Sequence, residues 1–313
     1  MDPFSKLNLK LDSSLRMAFA LQNKGCKVYF SEQNGLSWSS GSKYAHSNCA
    51  EIKFKDGPES AYLADFTEKS LSRFSGIHMR KDPPFDLQYV ATTWLLDAVP
   101  ESTKVINSPS ALRGLNEKLS IYHFPEFTDK ALLSSRPEEI LRFIEETCAG
   151  NAIVKPLDLF GGKGVIKISV DNENSRQAVL SKLRVETAEG TLQRLVQPFN
   201  NLIHEGEVRA FAAAGEPLSY CLKKPIEGSY LANTGSGATL HPYIPDEKVK
   251  NLVKKVSEKL LEFGVFIVGY DIIGGLLSEI NITSPRLLLP ESEDDSVYYD
   301  RLSEHFIKYC SSK

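Results

Sequence analysis

The chain has 313 residues, 42% of them hydrophobic and 25% charged, which is material for two or three compact domains and too apolar for a disordered polymer. Lysine and arginine (37) nearly balance aspartate and glutamate (40), so the net charge is −3 and the basic excess that grips nucleic acid phosphate is missing. In chain order, Asp12-Ser13-Ser14 reads as a helix start before apolar residues at Leu15, Ala18, Phe19 and Leu21, and Lys24-Gly25 reads as its stop. Residues 26–30 alternate like a strand. A helix is expected near 60–74, a strand at 77–79, a helix over 86–99 and a strand at 104–106, so residues up to about 112 read as an open α/β sheet. Next come a helix near 137–147, a strand at 152–155, a glycine cluster at 161–164, a strand at 165–169, a helix near 173–185 and a strand at 195–197. The last third offers strands at 208–213 and 218–222, a flexible stretch over 227–238, a long helix near 246–263, two strands flanking Gly274-Gly275, and a closing helix near 296–310. Runs of strands beside runs of helices give this part α+β character.

The longest apolar run, residues 263–277, is interrupted by Asp271 and four glycines and is no membrane span. No basic-then-apolar signal peptide opens the chain. The five cysteines (Cys26, Cys49, Cys148, Cys221 and Cys310) are scattered without a CxxC pair, which points to a reducing compartment, the cytoplasm.

Several segments carry candidate chemistry. Gly161-Gly162-Lys163-Gly164, between two strands, permits positive φ and close backbone approach, as in a turn whose amides face phosphate; the same residues also suit an ordinary hairpin turn. Lys155, at the end of an apolar strand before Pro156, is either an edge residue or a point charge for phosphate, and Lys118 is placed on a helix with Asn116 and Glu117. In Tyr270-Asp271-Ile272-Ile273-Gly274-Gly275-Leu276-Leu277-Ser278-Glu279-Ile280-Asn281, acidic residues interrupt apolar strands. Buried carboxylates need partners or a metal, and Asp, Glu and Asn oxygens suit Mg²⁺. Strand parity puts Asp271, Glu279 and Asn281 on one face if an odd-numbered loop is centred on Gly275. A two-residue Gly274-Gly275 turn would instead set Asp271 opposite Ser278 and leave the carboxylates on opposite faces. Arg209 alternates with apolar residues, facing either solvent or a charged ligand. Arg80-Lys81 follows a strand at the end where α/β sheets bind ligands.

Taken together, these segments resemble bacterial-type glutathione synthetases of the ATP-grasp ligase superfamily. The resemblance runs through Met1-Asp2-Pro3, Met79 to Asp86 (MRKDPPFD), Asn116-Glu117-Lys118, Lys155-Pro156, Gly161-Gly162, Gly215-Glu216-Pro217, the Asp271–Asn281 segment and Thr283-Ser284-Pro285, in family order over nearly the whole chain. It implies an N-terminal α/β domain (1–112), a central ATP-grasp lobe (113–195) and a C-terminal lobe (196–313) with α+β character, with ATP between the last two. By resemblance, Lys118, Lys155, Gly161 and Gly162 contact ATP phosphates. Gln197, Pro198 and Phe199 form the adenine-side hinge, and Glu207 lies near the ribose. Asp271, Glu279 and Asn281 hold Mg²⁺, or Mn²⁺ in its place. Arg80, Arg209, Lys224 and Asn233 face the substrate, with Arg209 as the catalytic group. The implied reaction joins γ-glutamylcysteine and glycine through an acyl phosphate, in a homo-oligomer with no nucleic acid or membrane partner. The alternatives are another ATP-grasp carboxylate–amine ligase or a degenerate nucleotide-binding protein. Three segments depart from the family pattern. The chain begins at the Met-Asp-Pro segment, where the family has a preceding strand, so the first sheet is expected to lack one. Lys224 stands where the family has an arginine, and Arg286 to Pro290 differs from the usual continuation.

Overall fold

The computed structural model describes residues 1–312. The N-terminal part contains α1 (Ser13–Asn23), β1 (Tyr29–Phe30), β2 (Leu36–Ser37), β3 (His46–Lys53), β4 (Tyr62–Ser70), β5 (Gly76–His78), α2 (Leu87–Asp97), β6 (Lys104–Ile106) and α3 (Pro109–Gly114). The Asp12 carboxylate caps α1 by accepting from the Ser14 and Leu15 amides, and Asp86 caps α2 through the Tyr89 amide. The start of α1 was legible for that reason.

The expected helix at 60–74 is instead the strand β4, which pairs antiparallel with β3 from Tyr62↔Lys53 to Ser70↔His46. Most of β4 is exposed, so it carries no burial pattern for a periodicity reading to detect; its pairing with β3 decides its state. The expected open sheet is correspondingly modified. An antiparallel group of β1, β2, β3 and β4 stands beside a parallel pair, β5 and β6. The other edge of β5 borders a cavity of about 630 Å³ lined by Met17, Leu21, Phe30, Leu71 and Leu96, among others.

A second sheet has the order β7 (Leu132–Ser134), β10 (Arg194–Pro198), β8 (Asn151–Pro156), β9 (Ile166–Ser169), and is covered by α4 (Pro137–Glu146) and α5 (Glu173–Glu186). Ile140, Leu141, Ile144 and Leu183 from these helices pack with Ala152, Val154, Ile168 and Val196 of the sheet. Because β10 runs on to Pro198, this sheet reaches past the expected boundary at 195/196. A third sheet has the order β13 (Thr239–Pro242), β12 (Glu216–Lys224), β11 (Glu207–Ala213), β14 (Ile267–Ile273), β15 (Leu276–Asn281). Helix α6 (Glu247–Glu262) lays Val249, Leu252, Val253, Val256 and Leu260 into the largest core cluster, and α7 (Ser296–Ser311) packs on α1 and β12. Among the described residues all five cysteines are free thiols, and no helix is long and apolar enough to cross a membrane.

Candidate active site

The second and third sheets face each other across a cavity of about 590 Å³. Lys118, Lys155, Gly161, Gly162, Gln197, Pro198, Phe199, Glu207, Arg209, Asn233, Asp271, Glu279 and Asn281 all line it. Residues from more than a hundred positions apart are thus brought to one space.

The acidic end is built by a β-bulge. Gly274 and Gly275 both take positive φ and make a two-residue turn, with Ile273 opposite Leu276. That turn alone would put Asp271 opposite Ser278. The register shifts between Ile272 and Asp271, one extra residue is accommodated at Ser278, and Asp271 comes to face Glu279. Sequence parity identified the right question, but a bulge answers it rather than a longer loop. Asn281 joins the same face, its Nδ2 donating to Asp271 Oδ2 at 3.0 Å. The bulged residue has a second use: Lys155 Nζ donates to the Ser278 hydroxyl at 3.1 Å and to its carbonyl at 3.4 Å.

Asp271 is also the centre of a buried charge cluster. Arg209 Nη1 lies 3.3 Å from both of its carboxylate oxygens, and Lys223 Nζ lies 2.6 Å from Oδ1 while also pairing with Glu207. Burial opposes the charge on Asp271, but Lys223 and Arg209 outweigh it and hold its pKa below the ordinary carboxylate range. Burial likewise opposes the charge on Lys223, and Asp271 and Glu207 outweigh it, holding the ammonium protonated. Burial pushes Glu207 up and Lys155 down. Gly269, opposite Asn281, leaves room for this arrangement: a Cβ there would lie 2.5 Å from Arg209 Nη2.

At the other side, Lys118 sits in a turn rather than a helix, because the Asn116 carboxamide accepts from the Lys118 and Leu119 amides. Its Nζ donates to the Leu159 carbonyl at 2.6 Å and lies 3.3 Å from Glu279 Oε1. It therefore ties the acidic face to the root of the glycine loop. Gly161, Gly162 and Gly164 all adopt positive φ. A Cβ on Gly161 would come within 3.1 Å of Asn233 Nδ2, and one on Gly162 within 3.6 Å of Leu231. The glycine cluster and the 227–238 stretch therefore meet over the cavity. At the hinge, the Phe199 amide donates to the Asn151 carbonyl at 3.0 Å, and Lys167 Nζ lies 3.6 Å from the Phe199 ring centroid.

Two expected substrate residues lie elsewhere. Lys224 is exposed; strand alternation turns its neighbour Lys223, directly opposite Glu207, into the cavity instead. Arg80 is buried outside the cavity lining, with Nε donating to Ser14 Oγ at 2.9 Å and Nη1 to the Pro285 carbonyl at 3.0 Å, so it props up the 283–286 loop. Sequence reasoning also passed over Glu117 as a working residue. Its Oε1 accepts from the Ile282 and Thr283 amides and from Thr283 Oγ1, at 2.8–2.9 Å, which fixes the end of β15.

The donor set fits a hard divalent cation. Two carboxylates and an amide oxygen share a face, and no group of three or more His, Cys, Asp or Glu converges among the described residues. A cation here needs further oxygens from a substrate, as Mg²⁺ does when it bridges carboxylates and phosphates.

Comparison with known proteins identifies the family. The family model for the prokaryotic glutathione synthetase N-terminal domain matches residues 1–113, and that for the prokaryotic glutathione synthetase ATP-grasp domain matches residues 117–290. Glutathione synthetase of Vibrio vulnificus (strain YJ016) is 34% identical over 293 residues, 92% of this chain and 89% of the relative. That of Pseudomonas putida is 34% identical over 300 residues, 95% and 92% of the two chains. Among solved structures, the macrocyclase MdnC bound with precursor peptide MdnA, from Microcystis aeruginosa MRC, covers 99% of this chain and 98% of its own with a TM-score of 0.60 at 15% identity, a likeness of fold alone. The chain belongs to the prokaryotic glutathione synthetase family, with an N-terminal domain followed by an ATP-grasp domain.

Proposed function

We propose that this cavity joins γ-glutamylcysteine to glycine in an ATP-driven reaction that releases ADP and phosphate. The observation that carries this reading is the single acidic face of Asp271, Glu279 and Asn281 set against Lys118, Lys155 and a glycine loop, in a chain of this family. A carboxylate is a poor electrophile, because amine attack would have to expel an oxide. Transfer of the γ-phosphoryl group of ATP onto the cysteinyl carboxylate gives an acyl phosphate with a good leaving group. Such transfer asks the protein for alignment and charge neutralisation more than for a covalent partner.

Lys118, Lys155 and the amides of Gly161 and Gly162 would bind the phosphates. Gln197, Pro198 and Phe199 would hold the adenine, with Glu207 near the ribose. Asp271, Glu279 and Asn281 would hold the divalent cation, Mg²⁺ or Mn²⁺, which when bound shields the phosphate charge. Arg209, lying over Gly269 beside Asp271, would stabilise the oxyanion formed when glycine attacks. The loops bearing Gly161 and Asn233 would exclude water, which otherwise hydrolyses the acyl phosphate. Lys223 takes the place proposed for Lys224, and Arg80 acts through Pro285 rather than on substrate. We also place the domain limits at 112/113 and at the end of β10, and the enzyme in the cytoplasm as a homo-oligomer, in keeping with its free thiols and its family.

An ADP-release assay tests the reading. ADP formation should require both γ-glutamylcysteine and glycine. Equal stimulation by an unrelated dipeptide or amine would instead indicate a ligase of other specificity, and no stimulation a protein without this activity.

A further inference from the structure

Six cations line the active-site cavity: Lys118, Lys155, Lys163, Arg209, Lys223 and Arg286. Five are engaged. Lys118 pairs with Glu279, Lys223 with Glu207 and Asp271, and Arg209 with Asp271. Lys155 donates to Ser278, and Lys163 lies 5.1 Å from the Phe160 ring centroid. The Arg286 guanidinium has no hydrogen bond, ion pair or aromatic partner among the described residues, and the residue is exposed where it lines the cavity.

Its backbone, in contrast, is held from three sides. Arg209 Nη2 donates to the Arg286 carbonyl at 3.4 Å, and Arg80 Nη1 to the carbonyl of the preceding Pro285 at 3.0 Å. Glu117 fixes Ile282 and Thr283 just upstream, and the following Leu287 is buried. A rigid base thus presents a free planar fork of donors to the cavity. The backbone of Arg286 touches Arg209, on a different loop from the lysines and glycines assigned to the phosphates. A guanidinium in that setting matches a carboxylate in two-point geometry, and its low hydration makes the exchange of water for an anion favourable.

We propose that Arg286 binds a substrate carboxylate that does not itself react, and thereby positions the reacting group of that same substrate, the cysteinyl carboxyl or the glycine amine. This rests on reading the cavity as a ligase for γ-glutamylcysteine and glycine. Two groups have the required chemistry: the α-carboxylate of the glutamyl residue and the carboxylate of glycine.

The test uses the full chain with Arg286→Gln and Arg286→Lys. KM is measured for ATP, γ-glutamylcysteine, glycine, the α-amide of the dipeptide, and glycinamide. Because the side chain is exposed, both variants should melt with the wild type. Arg286→Gln should raise KM for one carboxylate substrate about 10- to 100-fold and leave KM for ATP unchanged, and Arg286→Lys should recover part of the loss. The wild type should discriminate against the amide of that same substrate, and Arg286→Gln should treat acid and amide alike. Lost discrimination with the dipeptide amide assigns the glutamyl end, and with glycinamide the acceptor. Unchanged KM for both acids, discrimination retained against both amides, or a rise confined to ATP overturns the assignment. Absence of turnover by the wild-type chain overturns the reading of the cavity and this assignment with it.

Discussion

Replacing Lys223 by methionine removes a cation that touches both Glu207 and Asp271. Asp271 keeps Arg209 and the Asn281 amide, so Glu207 is the group left without a partner. Two routes bound the cost. Breaking a buried ion pair by deleting one partner typically costs about 3–5 kcal/mol. If Glu207 instead takes up a proton, holding a carboxyl of ordinary pKa about 4.3 neutral at pH 7 costs about 3.7 kcal/mol, at 1.36 kcal/mol per pH unit. The two agree, and at about 2–4 °C per kcal/mol the melting temperature should fall by about 6–20 °C at pH 7. The pH dependence has a definite sign. A carboxyl whose folded pKa is raised above its unfolded value weakens the fold as pH rises above the unfolded pKa. The deficit should therefore grow as pH rises from about 4 towards neutrality and shrink as pH falls towards 4. Lys224→Met is the control, since its exposed side chain should change stability by no more than about 0.5 kcal/mol. Scanning calorimetry of the three proteins from pH 4 to pH 8 reads the result. A Lys223→Met protein that melts with the wild type at pH 7, or a Lys224→Met protein equally destabilised, would refute the assignment of the inward-facing lysine.

Further outcomes follow from the same geometry. Asp271→Asn should weaken Mn²⁺ binding in the presence of ATP at least about tenfold, read by paramagnetic resonance without turnover; equal binding would remove Asp271 from the cation site. Lys155→Ala should raise KM for ATP and lower kcat, and unchanged ATP kinetics in a folded variant would remove Lys155 from the phosphate site. Buried Cys49, Cys148 and Cys221, the last two with pKa pushed up to about 11 by burial, should stay unmodified by a thiol reagent at pH 8 until the chain unfolds, leaving at most Cys26 and Cys310 to react.

Much of this site was legible because its signals are local. Asp12 stands as a cap beside apolar periodicity, and Gly161, Gly162 and Gly164 adopt the positive φ that their type allows. Asp271 and Glu279 betray themselves as acids inside apolar strands. What escaped depends on register and on partners far away in sequence. Whether Lys223 or Lys224 points inward is decided by the pairing of β12 with β11, and the shared face of Asp271 and Glu279 by one bulged residue. Strand β4 is mostly exposed and so has no inward face to read. Gly269 looks like a weak strand residue until Arg209 is seen to lie across it. Arg80 had the right charge and position in sequence, but Ser14 and Pro285 hold its guanidinium.

The central claim, that this cavity makes an acyl phosphate of the cysteinyl carboxylate, has a direct test. Dipeptide labelled with ¹⁸O in that carboxylate is turned over with ATP and glycine, and the released phosphate is analysed by mass. The account predicts one ¹⁸O atom in each phosphate formed and the tripeptide as product. Unlabelled phosphate accompanying tripeptide would contradict it.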